Sequence, residues 1–177
     1  MPPRVRRAAL TVHVSVSVGW FGAVAVFLAL AVTGLRSRDA QTVRAAYLAM
    51  ELTGWNVLVP LSIASLLTGL VQSLGTAWGL LRHYWVLAKL LITVLATLVL
   101  LVHMQPIGHM ADVVTRATLS GGEQAGLRIQ LVVNAAAALV VLLGAVTLSI
   151  IKPRGMTRHG RRRRREATAR AVVRAGQ

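Results

Sequence analysis

The stretch LTVHVSVSVGWFGAVAVFLALAVTG, Leu10 to Gly34, decides the fold class. Its apolar run exceeds the roughly 20 residues that a helix needs to cross a hydrocarbon core, yet His13 stands near its start. Ionisable groups inside a span are costly and as a rule face a bundle interior or a cavity, so the same stretch also poses the functional question. Arg4, Arg6 and Arg7 before it, and Ala29-Leu30-Ala31 near its end, resemble parts of a secretory signal. Signal cores run only about 7–15 residues, however, and this run is longer. The segment is expected to be retained as a membrane span.

The rest of the chain extends that reading. Of 177 residues, 55% are hydrophobic and 14% charged, with a mean hydropathy of +0.65, too little charge for an ordinary soluble domain. The apolar content falls in four runs, placing spans at about Leu10–Thr33, Leu52–Leu74, Tyr84–Met104 and Ile129–Ile151. The expected fold is an all-α membrane protein, a four-transmembrane-helix bundle occupying residues 1–151, with a basic tail over 152–177. No cysteine is present, which excludes disulfides, iron–sulfur clusters and thiolate metal sites.

The net charge of +15 is informative through its distribution. Ten of the twenty basic residues follow Ile151, including Arg161–Arg165, and three more precede Leu10. Because positive residues mark the cytoplasmic side, both termini are expected in the cytoplasm and the protein in a bacterial cytoplasmic membrane, multi-pass. The expected partners are the bilayer and, for the disordered or interfacial tail, anionic lipid headgroups. Nucleic acid is not expected as a partner, since no aromatic interleaving or recognisable module accompanies the charge.

Between the spans, Arg36–Met50 reads as an outer loop running into a short amphipathic helix, with Val43, Ala46, Tyr47 and Met50 at helical spacing. Pro60 is expected to bend span two, and Gly75–His83 to form a short inner turn. Gln105–Arg128 reads as the longest loop, outside, with Pro106 ending span three and Ser120-Gly121-Gly122 as a turn. Small residues suggest packing seams at Ser15, Gly19 and Gly22 on span one, and at Asn134, Ala138, Val141 and Ala145 on span four.

Within or at the edges of the spans lie His13, Glu51, His83, Lys89 and His103. His13 and Lys89 are at matching depth near the inner ends of spans one and three, read as antiparallel neighbours. Ser17 and Thr93 stand one turn from them, and Gln72 is placed to complete a polar pocket. Lys89 alternatively snorkels to the headgroups. His103 is fourteen residues beyond Lys89, about 21 Å along a helix, so no single cofactor joins both. It opens HMQPIGHM, in which His103, Met104, His109 and Met110 form an alternative outer copper site, imidazole and thioether being admissible copper ligands. Glu51 and Asn134 at the same level offer instead a polar gate.

His13, six intervening residues, Trp20 and Gly22 (HVSVSVGWFG) resemble the opening signature of copper-resistance protein D-like membrane domains and of the related small membrane-bound protoporphyrinogen oxidases. Trp85, Lys89 and Leu90 in HYWVLAKLLITVL resemble the later aromatic-to-Lys-Leu span of both. The whole looks closest to uncharacterised bacterial integral membrane proteins of that group. The chain departs from the oxidase pattern at Ala23–Ala31, which is aliphatic apart from Phe27. The resemblance implies a b-type haem site, with His13 as axial ligand of the iron, Lys89 beside or opposite it, and Trp20 packed on the macrocycle. Three functions follow as expectations. The first is a haem-binding redox or electron-transfer protein with a quinone partner, a haem-dependent membrane oxidoreductase if it is an enzyme. The second is a transport component for copper or another small solute. The third is a non-catalytic subunit of a membrane complex or oligomer.

Overall fold

The computed structural model describes residues 2–75, 84–115 and 122–151, and every element in them is helical. Helix α1 spans Pro3–Arg36, α2 Ala40–Thr53, α3 Val59–Gly75, α4 Tyr84–Thr115 and α5 Gly122–Ile151. A π turn, Gly54–Leu58, fuses α2 to α3, so that among the described residues four helices are long and apolar enough to cross a membrane. The basic tail, residues 76–83 of the expected inner turn with His83 among them, and residues 116–121 lie outside the described residues, while Gly75 closes α3.

The helices start and stop where local chemistry directs. Pro3 sits at the first position of α1, where its missing N–H is no loss. The α1 backbone closes when Ser37 turns extended and its N–H donates to Thr33 O at 2.9 Å. Asp39 then caps α2, its Oδ2 accepting from Thr42 N at 2.9 Å and from Thr42 Oγ1 at 2.6 Å. The hydroxyl bond first, then the backbone bonds, hold the Asp39 carboxyl below the usual carboxylate range. The outer loop expected over Arg36–Met50 is thereby reduced to Ser37–Asp39. The amphipathic reading holds: Val43, Ala46, Tyr47 and Met50 are the buried residues of α2.

The two prolines act differently. Pro60 cannot donate a helical hydrogen bond, and the backbone before it is rewound into the π turn, with Val59 N donating to Gly54 O and Asn56 Nδ2 to Leu52 O at 2.9 Å. Pro106, by contrast, does not end its span: α4 runs through it to Thr115, and α5 begins at Gly122. The loop expected over Gln105–Arg128 is therefore helical at both ends. A helix held by neighbours tolerates proline at membrane depth because packing and side chains compensate the freed carbonyl.

Large apolar side chains point outward from every span, among them Val18, Leu67, Leu91, Val102 and Val140, as a bundle surrounded by hydrocarbon rather than water requires. Helix α1 packs on α2, α3 and α5, and α4 packs on the same three. Spans one and three are thus diagonal, not adjacent. They also run in the same direction rather than antiparallel, since His13 and Lys89, each near the start of its helix, meet at one end of the bundle. The seam expected at Ser15, Gly19 and Gly22 is exposed, and of its two glycines Gly19 approaches a neighbour, Leu61, while Gly22 meets none. The face that α1 buries carries His13, Trp20, Val24, Phe27, Ala31 and Gly34. On α5, Ala145 is buried and Asn134 and Ala138 half-buried, but Val141 faces out.

Candidate functional site

The bundle has two ends of unlike chemistry. The proximal end gathers the starts of α1 and α4 and the finishes of α3 and α5; the distal end gathers the opposite termini. A stripe along α3, Ser62, Ser65, Thr68, Gly69, Gln72 and Ser73, recurs every three or four residues and turns toward α1 and α4. Its hydroxyls return bonds to their own helix: Ser62 Oγ donates to Val59 O, Ser73 Oγ to Leu70 O, and Thr68 Oγ1 to Ala64 O at 2.7 Å. Ser65 reaches across to Ser17, 3.2 Å between the oxygens.

His13 is buried against this stripe. Its Nδ1 lies 2.9 Å from Thr68 Oγ1. Because the Thr68 proton is spent on Ala64 O, the threonine oxygen accepts and Nδ1 of His13 carries the hydrogen. This assigns the lone pair of a neutral ring to Nε2, and Lys89 Nζ stands 3.5 Å from that atom. The lysine amine is therefore turned toward His13 across the bundle, not back along its helix to the headgroups. Gly69 makes the arrangement possible: a β-carbon there would stand 3.2 Å from Cε1 of the imidazole, closer than the ring tolerates without shifting.

His13 and Lys89 face a cavity of about 500 Å³ also lined by Arg6, Arg7, Gln72, Trp85 and Thr93. Its walls are otherwise mainly apolar, from Leu10, Val14, Leu66, Val86 and Leu90. Gln72 contributes an Nε2 that is buried without a partner among the described residues. The site thus offers an oriented imidazole nitrogen, an amine beside it, a spare amide donor and two guanidinium groups at the proximal mouth. An anionic ligand with an apolar body and an electrophilic centre matches that set.

Trp20 is elsewhere. Seven residues beyond His13, it is buried in the apolar core and lines a second cavity, of about 370 Å³, with Phe27, Leu58, His103 and Asn134. The two cavities share no lining residue. His103 is committed at both nitrogens: Nδ1 donates to Val99 O at 2.8 Å, and Nε2 accepts from the Asn134 amide. The residues of HMQPIGHM lie on one continuous helix, so their side chains fan around its axis. Met104 is buried against Gly54 on the neighbouring span, and His109 is exposed. The Met110 side chain lies outside the described ones. Glu51 lies over Gly108, and Asn134 donates to His103. Among the described residues no three His, Cys, Asp or Glu side chains converge as a metal site.

Sequence reasoning brought His13, Lys89, Ser17, Thr93 and Gln72 to one region, and the structure gathers them at the proximal end. It passed over Thr68 and Gly69, the residues that fix the ring. The signal was present in the spacing of the α3 polar stripe, which an apolar reading of span two averages away. No family model, no curated protein and no solved structure matches this chain.

Proposed function

We propose that the chain is an integral membrane protein that binds haem b at the proximal cavity, His13 being the axial ligand, and that it serves in electron transfer within a bacterial cytoplasmic membrane. The observation that carries this reading is the state of His13: Nδ1–H is spent on Thr68, and the lone pair of Nε2 lies on the cavity side beside Lys89 Nζ, 3.5 Å away, so that the lysine would yield that lone pair to the iron on binding. Histidines that ligate metals donate their other ring N–H to a fixed acceptor, which orients the ring and raises its basicity. Haem bound there supplies one-electron chemistry whose potential depends on the axial ligands and the polarity around them.

The residues present fit such a group. Thr68 sets the tautomer, and Gly69 leaves the ring room to stand. Arg6 and Arg7 at the mouth suit the carboxylates of a porphyrin. Lys89 adds an amine that, when neutral, is a second nitrogen donor and, when charged, donates a hydrogen bond into the site. The apolar walls keep water from the macrocycle. Both tails are read as cytoplasmic from their thirteen basic residues, which sets the haem site near the cytoplasmic face.

The test is spectroscopic. Purified full-length protein titrated with haemin is expected to develop a Soret band at one equivalent, His13→Ala to abolish it, and His103→Ala to leave it nearly intact. A Soret band that survives His13→Ala and vanishes in His103→Ala overturns the proposal. Copper retained without haem, and lost on changing His103 and His109, overturns it in favour of copper handling.

A further inference from the structure

The distal cavity has its own chemistry, independent of whether His13 holds haem. Trp20 and Phe27 on α1 form an aromatic wall, and Ala135 and Ala138 on α5 leave space opposite it. No charged side chain lines it, so its occupant is neutral. Leu95 and Val99 on α4 and Val141 on α5 both line the cavity and are exposed on the outside of the bundle. The opening is therefore lateral, between α4 and α5, toward hydrocarbon rather than water, and whatever enters comes from the bilayer.

One polar pair marks the cavity, His103 with Asn134. Both nitrogens of His103 are used. Asn134 donates one amide hydrogen to the imidazole, which leaves a second amide hydrogen and two lone pairs on its carbonyl oxygen. An amide so placed serves a ligand carbonyl by donating and a ligand hydroxyl by accepting. We propose that this cavity binds the head group of a membrane-dissolved quinone or quinol, ring against Trp20 and Phe27, oxygen on Asn134, and isoprenoid tail leaving between α4 and α5. The volume suits a single-ring or fused two-ring head group without its tail. The amide satisfies the oxidised form and the reduced form alike.

Trp20 supplies a direct reporter, because quinones quench indole fluorescence at contact. Full-length protein in lipid nanodiscs is titrated with menadione, a naphthoquinone with no tail. Saturable quenching is expected, over the linear quenching of menadione merely dissolved in lipid. Trp20→Phe should remove the saturable component while Trp55, Trp78 and Trp85 remain. Asn134→Leu should weaken binding about tenfold, the worth of one hydrogen bond. Ala138→Leu fills the space and leaves the polar pair intact; it should abolish saturation in a protein that still elutes as a folded species. His13→Ala should leave the titration unchanged, which separates this inference from the haem reading. Purely linear quenching in the wild type overturns the proposal, as does saturation that survives both Trp20→Phe and Ala138→Leu. Displacement of menadione by dodecanol at equal concentration also overturns it, since that marks a general apolar crevice.

Discussion

The two ends of the bundle are built from the same four helices and solve opposite problems. At the distal end, Tyr47, Met50, Met104 and Ile107 are almost wholly buried, and the helices meet by shape. Gly34 shows how closely: a β-carbon there would stand 2.8 Å from the Tyr47 ring. At the proximal end, hydroxyls, an amide, an imidazole and an amine replace that packing, and the space between them stays open. Apolar contact has no solvent-driven advantage between helices in lipid, so dispersion and close fit hold the distal end together. Polar groups in the same setting must find partners, and those that do become a prearranged site. Close fit is concentrated where α1 meets α2, at Gly34 and Tyr47, whereas the proximal end keeps an open space lined by polar groups.

That division is open to breakage, first at its strongest point. His13→Ala should eliminate haem retention while leaving the helical content and melting of the protein close to wild type, because the residue stands outside the distal core. A variant that fails to fold would mean that the proximal polar groups hold the bundle together. Next in size is Gly69→Val, which crowds the imidazole from below. Haem affinity should fall by roughly 10- to 100-fold, the range for disturbing a ligand's supporting shell, again with little change in stability.

The reciprocal experiment lies at the other end. Gly34→Ala should cost about 1–3 kcal/mol through overpacking against Tyr47, read as a lower melting temperature, with the haem spectrum unmoved. Lys89 comes next. Arginine keeps a charge at this depth and does not readily ligate iron, so Lys89→Arg should shift the haem spectrum or reduction potential without loss of haem. Lys89→Met should insert normally, having removed a costly charge. An unchanged spectrum and potential in Lys89→Arg would remove the amine from the site despite its 3.5 Å approach to His13.

The smallest effect belongs to Asp39. Its carboxyl is held below the ordinary range by Thr42, so the folded state favours the ionised form. The stabilisation is present above the unfolded-state value of about 4 and is lost as pH falls through the depressed folded value. Asp39→Asn should therefore show a slight destabilisation that is present at neutral pH and disappears in acid, by thermal melts at the two pH values.

Four spans were legible because hydropathy at membrane depth admits few alternatives, and His13 with Lys89 were legible because ionisable groups there stand out. What escaped depended on geometry that composition does not carry. Pro106 reads as a stop in isolation, yet α4 passes through it with neighbours on three sides. Ser15, Gly19 and Gly22 have the spacing of a seam, but α1 instead buries the larger residues seven and eleven positions beyond His13, Trp20 and Val24. Trp20 shares a helix face with His13 and was read into the same site. It belongs to the other cavity because α3 supplies hydroxyls at the level of His13, and apolar Leu58 lines the cavity that Trp20 reaches.

The most direct test of a poised His13 is the nitrogen-15 spectrum of full-length protein labelled at its five histidines, taken before and after one equivalent of haemin. His13, assigned by the resonance missing in His13→Gln, should be neutral with its hydrogen on Nδ1. On addition of haemin its signals should broaden away next to the paramagnetic iron while those of His103 persist. A His13 ring protonated at Nε2, or signals from His103 lost in place of those from His13, would contradict the account.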